Sequence, residues 1–186
     1  MGRFVLYTLL MLLVSSAANA AEPSNGKSEG VSTPSSYAQA MAYARGEGQP
    51  RDFARAAQLF LQGAKGGHVE SQYQYALLCA RGDGVKQDFK AAHEWFYKAA
   101  MQGYFKASYQ LGEMYAHGDG VSFDPVEATA WFWVGTTLGD AFSQKRLRVM
   151  TGNIDDRQIQ AAQLRAKELT RDMPTTYRTN LKTPMH

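Results

Sequence analysis

Four histidines, a single cysteine, three aspartates at equal spacing and three Gly-x-Gly turns are the features of this 186-residue chain that could carry chemistry. His68, His93, His117 and His186 could ligate a metal or move a proton, but no two stand four apart on a helix, and Cys79 is the only thiol available to join them. Cys79 shares its place in a repeating pattern with Tyr43 and Tyr115, which makes it a packing residue rather than a nucleophile. The Gly-x-Gly turns lack the third glycine of a dinucleotide site and the Gly-Lys-Ser/Thr of a phosphate loop. Asp52, Asp88 and Asp124 lie too far apart to act as a paired acid and base. The residues therefore point to no metal, no cofactor and no catalytic residue, and the chain reads as a non-enzyme.

The elements that carry these residues repeat. Arg45-Gly46-Glu47-Gly48 returns as Arg81-Gly82-Asp83-Gly84 and as His117-Gly118-Asp119-Gly120, each step 36 residues long. The same step aligns Tyr37, Tyr73 and Tyr109; Ala56, Ala92 and Ala128; Leu59, Trp95 and Trp131; Phe60, Phe96 and Phe132; and Gly67, Gly103 and Gly139. Each unit reads as two helices. In the second unit, helix A spans 69–81, with Tyr75, Leu78 and Cys79 on one face, and helix B spans 89–101, with Ala92, Trp95, Phe96 and Ala99 recurring at steps of three and four. The three aspartates are placed to cap helix B, Pro125 fits its first position, and Glu127 completes a capping-box pattern with Asp124. One helix pair cannot bury its apolar face alone, so the pairs must stack. The expected fold is all-α: an α/α superhelical solenoid of about three 36-residue repeats over 36–142, closed by a C-terminal capping helix. A fourth helix A fades over 141–150. The closing helix covers 155–169, capped by Asp155 with Gln158, and offers Ile159, Ala162, Leu164, Ala166 and Leu169 to the stack; residues 143–173 thus form a partial repeat and cap.

The ends read differently. Arg3, the apolar run Phe4 to Val14 and Ala18-Asn19-Ala20 form an export signal over 1–20, with cleavage expected after Ala20. That run is too short for a stable membrane anchor, and Ala21 stands where a lipoprotein needs cysteine. Residues 21–35 form a flexible leader, and 174–186 a loose tail. The mature chain is expected to be soluble, without a membrane span, and periplasmic or secreted. Removing the signal takes away one basic residue and no acid, leaving a balance just below the full chain's +3, too weak to imply a nucleic-acid partner.

With one side of helix A turned inward, positions 73, 74, 77 and 81 face out, and stacking lines up their equivalents. The candidate partner-binding residues are Tyr37, Met41, Tyr73, Gln74, Leu77, Arg81, Tyr109, Gln110 and Glu113, with Arg45, Arg81 and His117 forming one of the aligned columns. Tyrosine beside glutamine and arginine is the composition of a binding groove; the same rings could instead only brace adjacent repeats.

The repeat resembles the Sel-one-like family, a relative of the tetratricopeptide repeat with a longer turn between its helices. The third unit carries the resemblance at Ala107, Leu111, Gly112, Tyr115, Gly118, Gly120, Val121, Asp124, Ala128, Trp131, Phe132 and Gly139. Departures are Tyr75 in place of leucine, Cys79 in place of tyrosine, Gln49 after the first Gly-x-Gly, and Thr136-Thr137 in place of a pair of alanines. The resemblance implies an adaptor that binds a protein or peptide, here unidentified, on the concave side lined by A helices; the export signal, bacterial in character, points to the cell envelope. Two alternatives stay open. One is a cell-wall or β-lactam hydrolase-like enzyme, since such activity is attributed to some relatives; the other is a binder of peptidoglycan glycan through exposed aromatics.

Overall fold

A computed structural model describes residues 34–178. The export signal, nearly all of the leader and the end of the tail lie outside the described residues. Within them the chain is helical, with no strand. The order is α1 (Pro34–Arg45), α2 (Phe53–Lys65), α3 (Val69–Arg81), α4 (Phe89–Met101), α5 (Phe105–His117), α6 (Pro125–Thr137), α7 (Ala141–Thr151), α8 (Asp156–Arg171) and the short α9 (Thr175–Arg178). Helices α1, α3, α5 and α7 are the A helices; α2, α4 and α6 are the B helices. The second unit has the bounds its periodicity requires. The fourth A helix is present as α7, of 11 residues against 13 in α3 and α5, started by Asp140, whose carboxylate accepts from the Ser143 backbone N–H at 2.8 Å.

The turns explain the repeated aspartates and glycines. Asp52, Asp88 and Asp124 accept from the backbone N–H groups of Arg55, Ala91 and Glu127, each at 2.9 Å. Such a cap contributes about 1 kcal/mol. Their own N–H groups donate back to the carbonyls of Tyr43, Cys79 and Tyr115 at 2.9–3.0 Å, closing the turn in the same way three times. Gly84 and Gly120 have φ near +70°, and each is pressed against the start of the preceding unit's B helix. A Cβ at Gly84 would overlap the Phe53 carbonyl and lie 2.5 Å from the Ala54 nitrogen; one at Gly120 would lie 2.6 Å from the Phe89 carbonyl carbon. Gly48, in the same column but in the first described unit, has nothing within 4 Å. The turn is therefore a joint between units as well as a link within one.

Packing follows the columns. Ala56, Ala92 and Ala128 are fully buried, as are Phe60, Phe96 and Phe132. Between units the contact is made by small pairs. A Cβ on Gly63 would strike the Ser71 hydroxyl, and one on Gly135 would strike that of Ser143; the same columns in the middle of the stack hold the buried pair Ala99 and Ala107. Where helix B gives up its side chain, helix A gains an oxygen, so the summed volume is nearly constant.

Helix α8 folds back across α6 and closes the core. Asp155 and Gln158 form a reciprocal capping box. Its buried side is Ala162, Ala166, Leu169 and Thr170, continued by Met173, with Ile159 half-buried at the start. Leu164 does not belong to it: the residue is 61% exposed. Two steps along a helix from Ala162 turn the side chain by roughly 200°, away from the core. The capping box read into Asp124 and Glu127 also fails on one side. Asp124 caps, but the Glu127 carboxylate accepts from Arg165 of α8 at 2.9 and 3.3 Å instead of reaching back. The closing helix supplies a better partner, a guanidinium, than the Asp124 backbone.

Candidate partner-binding face

The tyrosine column lies between helices. Tyr37 packs on Phe60 (ring centroids 5.8 Å) and His68 (5.1 Å). Tyr73 packs on Phe96 (5.7 Å) and Tyr104 (5.0 Å), and Tyr109 on Phe132 (5.9 Å) and Phe142 (6.3 Å). Each ring thus touches its own unit's B helix and the residues that begin the next A helix. All three are half-buried, so they brace the units and still show an edge at the surface. Burial pushes the Tyr73 phenol up, partly offset by a hydrogen bond with the Gln110 side chain from the next unit and by nearby Arg81. Burial also raises Tyr109, with Glu113 adding to it, and pushes Tyr104 up to about 12.

Two of the hollows along the A helices hold residues of the expected stripe. The first, about 440 Å³, is lined by Tyr73, Tyr109 and Gln110 together with Phe105, Lys106, Asp140 and Phe142. Phe142 is 72% exposed, a large apolar side chain held at the rim. The second, about 340 Å³, gathers Met41, Gln74, Leu77 and Arg81 with Arg45, Arg51, Phe53 and Asp83. The expected stripe is thus divided between two sites. Tyr37 lines neither. Nor does Glu113, which pairs with Arg146 of α7 and approaches His117 at 3.8 Å. Sequence reasoning missed Phe105, Lys106, Phe142, Arg51 and Phe53. Phe142 stands one 36-residue step beyond Lys106, so carrying the columns into α7 finds it; Arg51 and Phe53 belong to the turn and the start of helix B, which reasoning about helix A alone passes over.

Among the described residues, Cys79, His68 and His93 are engaged structurally; His186 lies outside them. Cys79 is buried, and burial pushes its thiol up, away from the thiolate a nucleophile needs. His93 lies 3.2 Å from the Tyr115 hydroxyl, and burial lowers its pKa. One nucleophile–base pair is present that sequence reasoning did not find. The Ser71 hydroxyl lies 2.8 Å from His68 Nδ1, and Glu70 lies 3.4 Å from Nε2. Ser71 is 1% exposed beneath Gly63, where no substrate carbonyl can reach it. His68 Nδ1 also accepts from the Ser71 backbone N–H, and Asp140 does the same for Ser143 one column on. The pair is a helix cap, with imidazole in the place of carboxylate. Among the described residues, no three His, Cys, Asp or Glu side chains cluster closely enough to hold a metal ion, and no helix is long and apolar enough to cross a membrane.

Comparison with known proteins agrees with this architecture. A search of curated proteins finds no match. Among solved structures, the chain is similar to a protective antigen of uropathogenic Escherichia coli displaying an SLR fold, with 25% identity and a TM-score of 0.68 over 84% of this chain and 42% of that one. It spans less than half of that antigen's length. It is also similar to a Sel1 repeat protein from Oxalobacter formigenes, with 28% identity and a TM-score of 0.58 over 64% of this chain and 89% of that one. The Sel1 repeat profile matches residues 35–68, 69–104 and 106–132, the three units built from α1 to α6. With three matched repeats, a shared fold and turns closed alike in every unit, the chain belongs to the Sel1 repeat family.

Proposed function

We propose that this chain is a non-catalytic scaffold of the bacterial cell envelope that holds a protein or peptide on its A-helix face, the side expected to be concave. Sel1 repeat proteins are generally protein-interaction scaffolds, and the assignment of a face to this one rests on a single observation. The two hollows that hold stripe residues combine aromatic or aliphatic walls with amide and cationic groups, in the first about Tyr109, Gln110, Lys106 and Phe142. That mixture supports recognition: apolar surface supplies affinity and a few fixed polar groups supply orientation. The envelope location rests on the export signal read at 1–20.

The test is affinity capture from intact envelopes with the wild-type chain and a Phe142→Ala, Gln110→Ala double variant. Phe142 is largely exposed, and Gln110 gives up its hydrogen bond with Tyr73, so the helices should stay intact with a stability loss of about 1–2 kcal/mol. Loss of a captured partner with the fold intact is the expected outcome. Undiminished capture places the interface elsewhere. Turnover of a cell-wall or β-lactam substrate, abolished by one substitution, favours the enzyme instead. Co-sedimentation with purified peptidoglycan favours the glycan binder.

A further inference from the structure

The second hollow differs from the first in charge. Its walls are Met41, Phe53, Leu77 and Leu78, and its edge carries three guanidinium groups, Arg45, Arg51 and Arg81, against one carboxylate, Asp83. Arg45 is engaged by Glu47 at 3.3 Å, but both are exposed, and such pairs are weak. Arg51 rests over the Phe53 ring at 5.6 Å, and neither it nor Arg81 enters an ion pair among the described residues. The excess of positive charge is local. One unit further on, His117 takes the column of Arg81 and Gln87 that of Arg51; at the last unit Phe123, 65% exposed, occupies the Arg51 column.

Guanidinium groups beside an apolar wall are satisfied by a carboxylate carried on a chain that also offers apolar side chains. We propose that this hollow receives an acidic side chain of a partner segment, flanked by aliphatic or aromatic residues that lie against Met41, Phe53 and Leu77. The proposal rests on the scaffold reading above and names the chemistry of what it binds. Arg81 and Arg51 make the contact; Arg45, held by Glu47, contributes less.

The test is selection of a random twelve-residue peptide library, fused at both ends so that no terminal carboxylate is free, against the chain from residue 21 to 186. Enriched sequences should place Asp or Glu next to Leu, Ile or Phe. The best of them, made synthetically, should bind more weakly as salt rises. Exchange of its acid for the amide should weaken binding on the order of tenfold, as should Arg81→Gln with Arg51→Gln in the protein, while Arg81→Lys keeps part of it. The peptide exchange reads the same contact without touching the protein fold. Enriched peptides without an acid, whose binding ignores the arginines but falls with Phe142→Ala, overturn the proposal and leave the scaffold reading standing. If no peptide is enriched, the proposal falls, and the scaffold reading is decided by the capture from envelopes. Arginine-dependent binding of phosphatidylglycerol vesicles in place of peptides also overturns it.

Discussion

Alanine at the second glycine of each turn separates two costs that a single substitution would mix. Gly48, Gly84 and Gly120 share φ values of 71°, 70° and 71°, so alanine meets the same left-handed backbone penalty at all three, about 1–2 kcal/mol. Only two of them meet a neighbour. The new methyl at Gly84 would overlap the Phe53 carbonyl, and that at Gly120 would lie 2.6 Å from Phe89, whereas Gly48 faces open space. The obstacle is backbone at the start of a helix, which cannot swing aside, so one unit must shift against the next. Overpacking of that kind costs a further 1–3 kcal/mol or so. Gly48→Ala should therefore lose about 1–2 kcal/mol and Gly84→Ala about 3–4 kcal/mol, with Gly120→Ala close to Gly84→Ala. For a domain of this size the gap of about 2 kcal/mol is roughly 4–8 °C in Tm. Urea and thermal unfolding followed by circular dichroism measure it, with the urea slope checking that the array still unfolds as one unit. Equal losses at Gly48 and Gly84 would refute the reasoning, because the joint between units would then contribute nothing.

Three further outcomes follow from the packing of α8 and from one histidine. Leu169→Ala should cost about 2–5 kcal/mol because Leu169 is buried, while Leu164→Gln should change stability by less than about 0.5 kcal/mol; urea unfolding of the two variants checks the face assigned to the closing helix. Arg165→Ala and Glu127→Ala should show a coupling of about 1 kcal/mol in a double-mutant cycle, a modest value because Arg165 is two-fifths exposed; no coupling would mean that the two-pronged contact is not held in solution. Burial lowers the pKa of His93 below its ordinary 6.5, so its neutral form is favoured by folding. Its contribution is complete above pH 6.5 and is lost as pH falls through the lower folded value, and His93→Gln should flatten that part of the stability profile measured by urea unfolding.

The parts of the fold that repeat were legible in the sequence. Asp88 and Gly84 each have counterparts 36 residues away on both sides, and a role that must be filled three times leaves three marks. What occurs once was harder to read. The partner of Glu127 is Arg165, 38 residues away on a helix outside the repeat, and local pattern favoured the capping box that the longer-range contact displaced. Leu164 was assigned to the core by its type, although its angular position opposes Ala162 and Ala166. The pairing of Ser71 with His68 was hidden because the equivalent positions hold Tyr104 with Ala107 and Asp140 with Ser143, so the column shows no common chemistry. At the candidate face, the repeat aligned Tyr73 with Tyr109, but it could not say that their rings lie half inside the joints, nor that Phe142 and Arg51 complete the two hollows.

That a partner lies along the A helices is tested most directly by amide hydrogen exchange on the chain with and without the tightest peptide selected against it. Protection on binding should appear in α1, α3 and α5, around Met41, Leu77 and Gln110, and leave the exposed sides of α2, α4 and α6 unchanged. Protection confined to those B helices or to α8, with none on the A helices, would contradict the account.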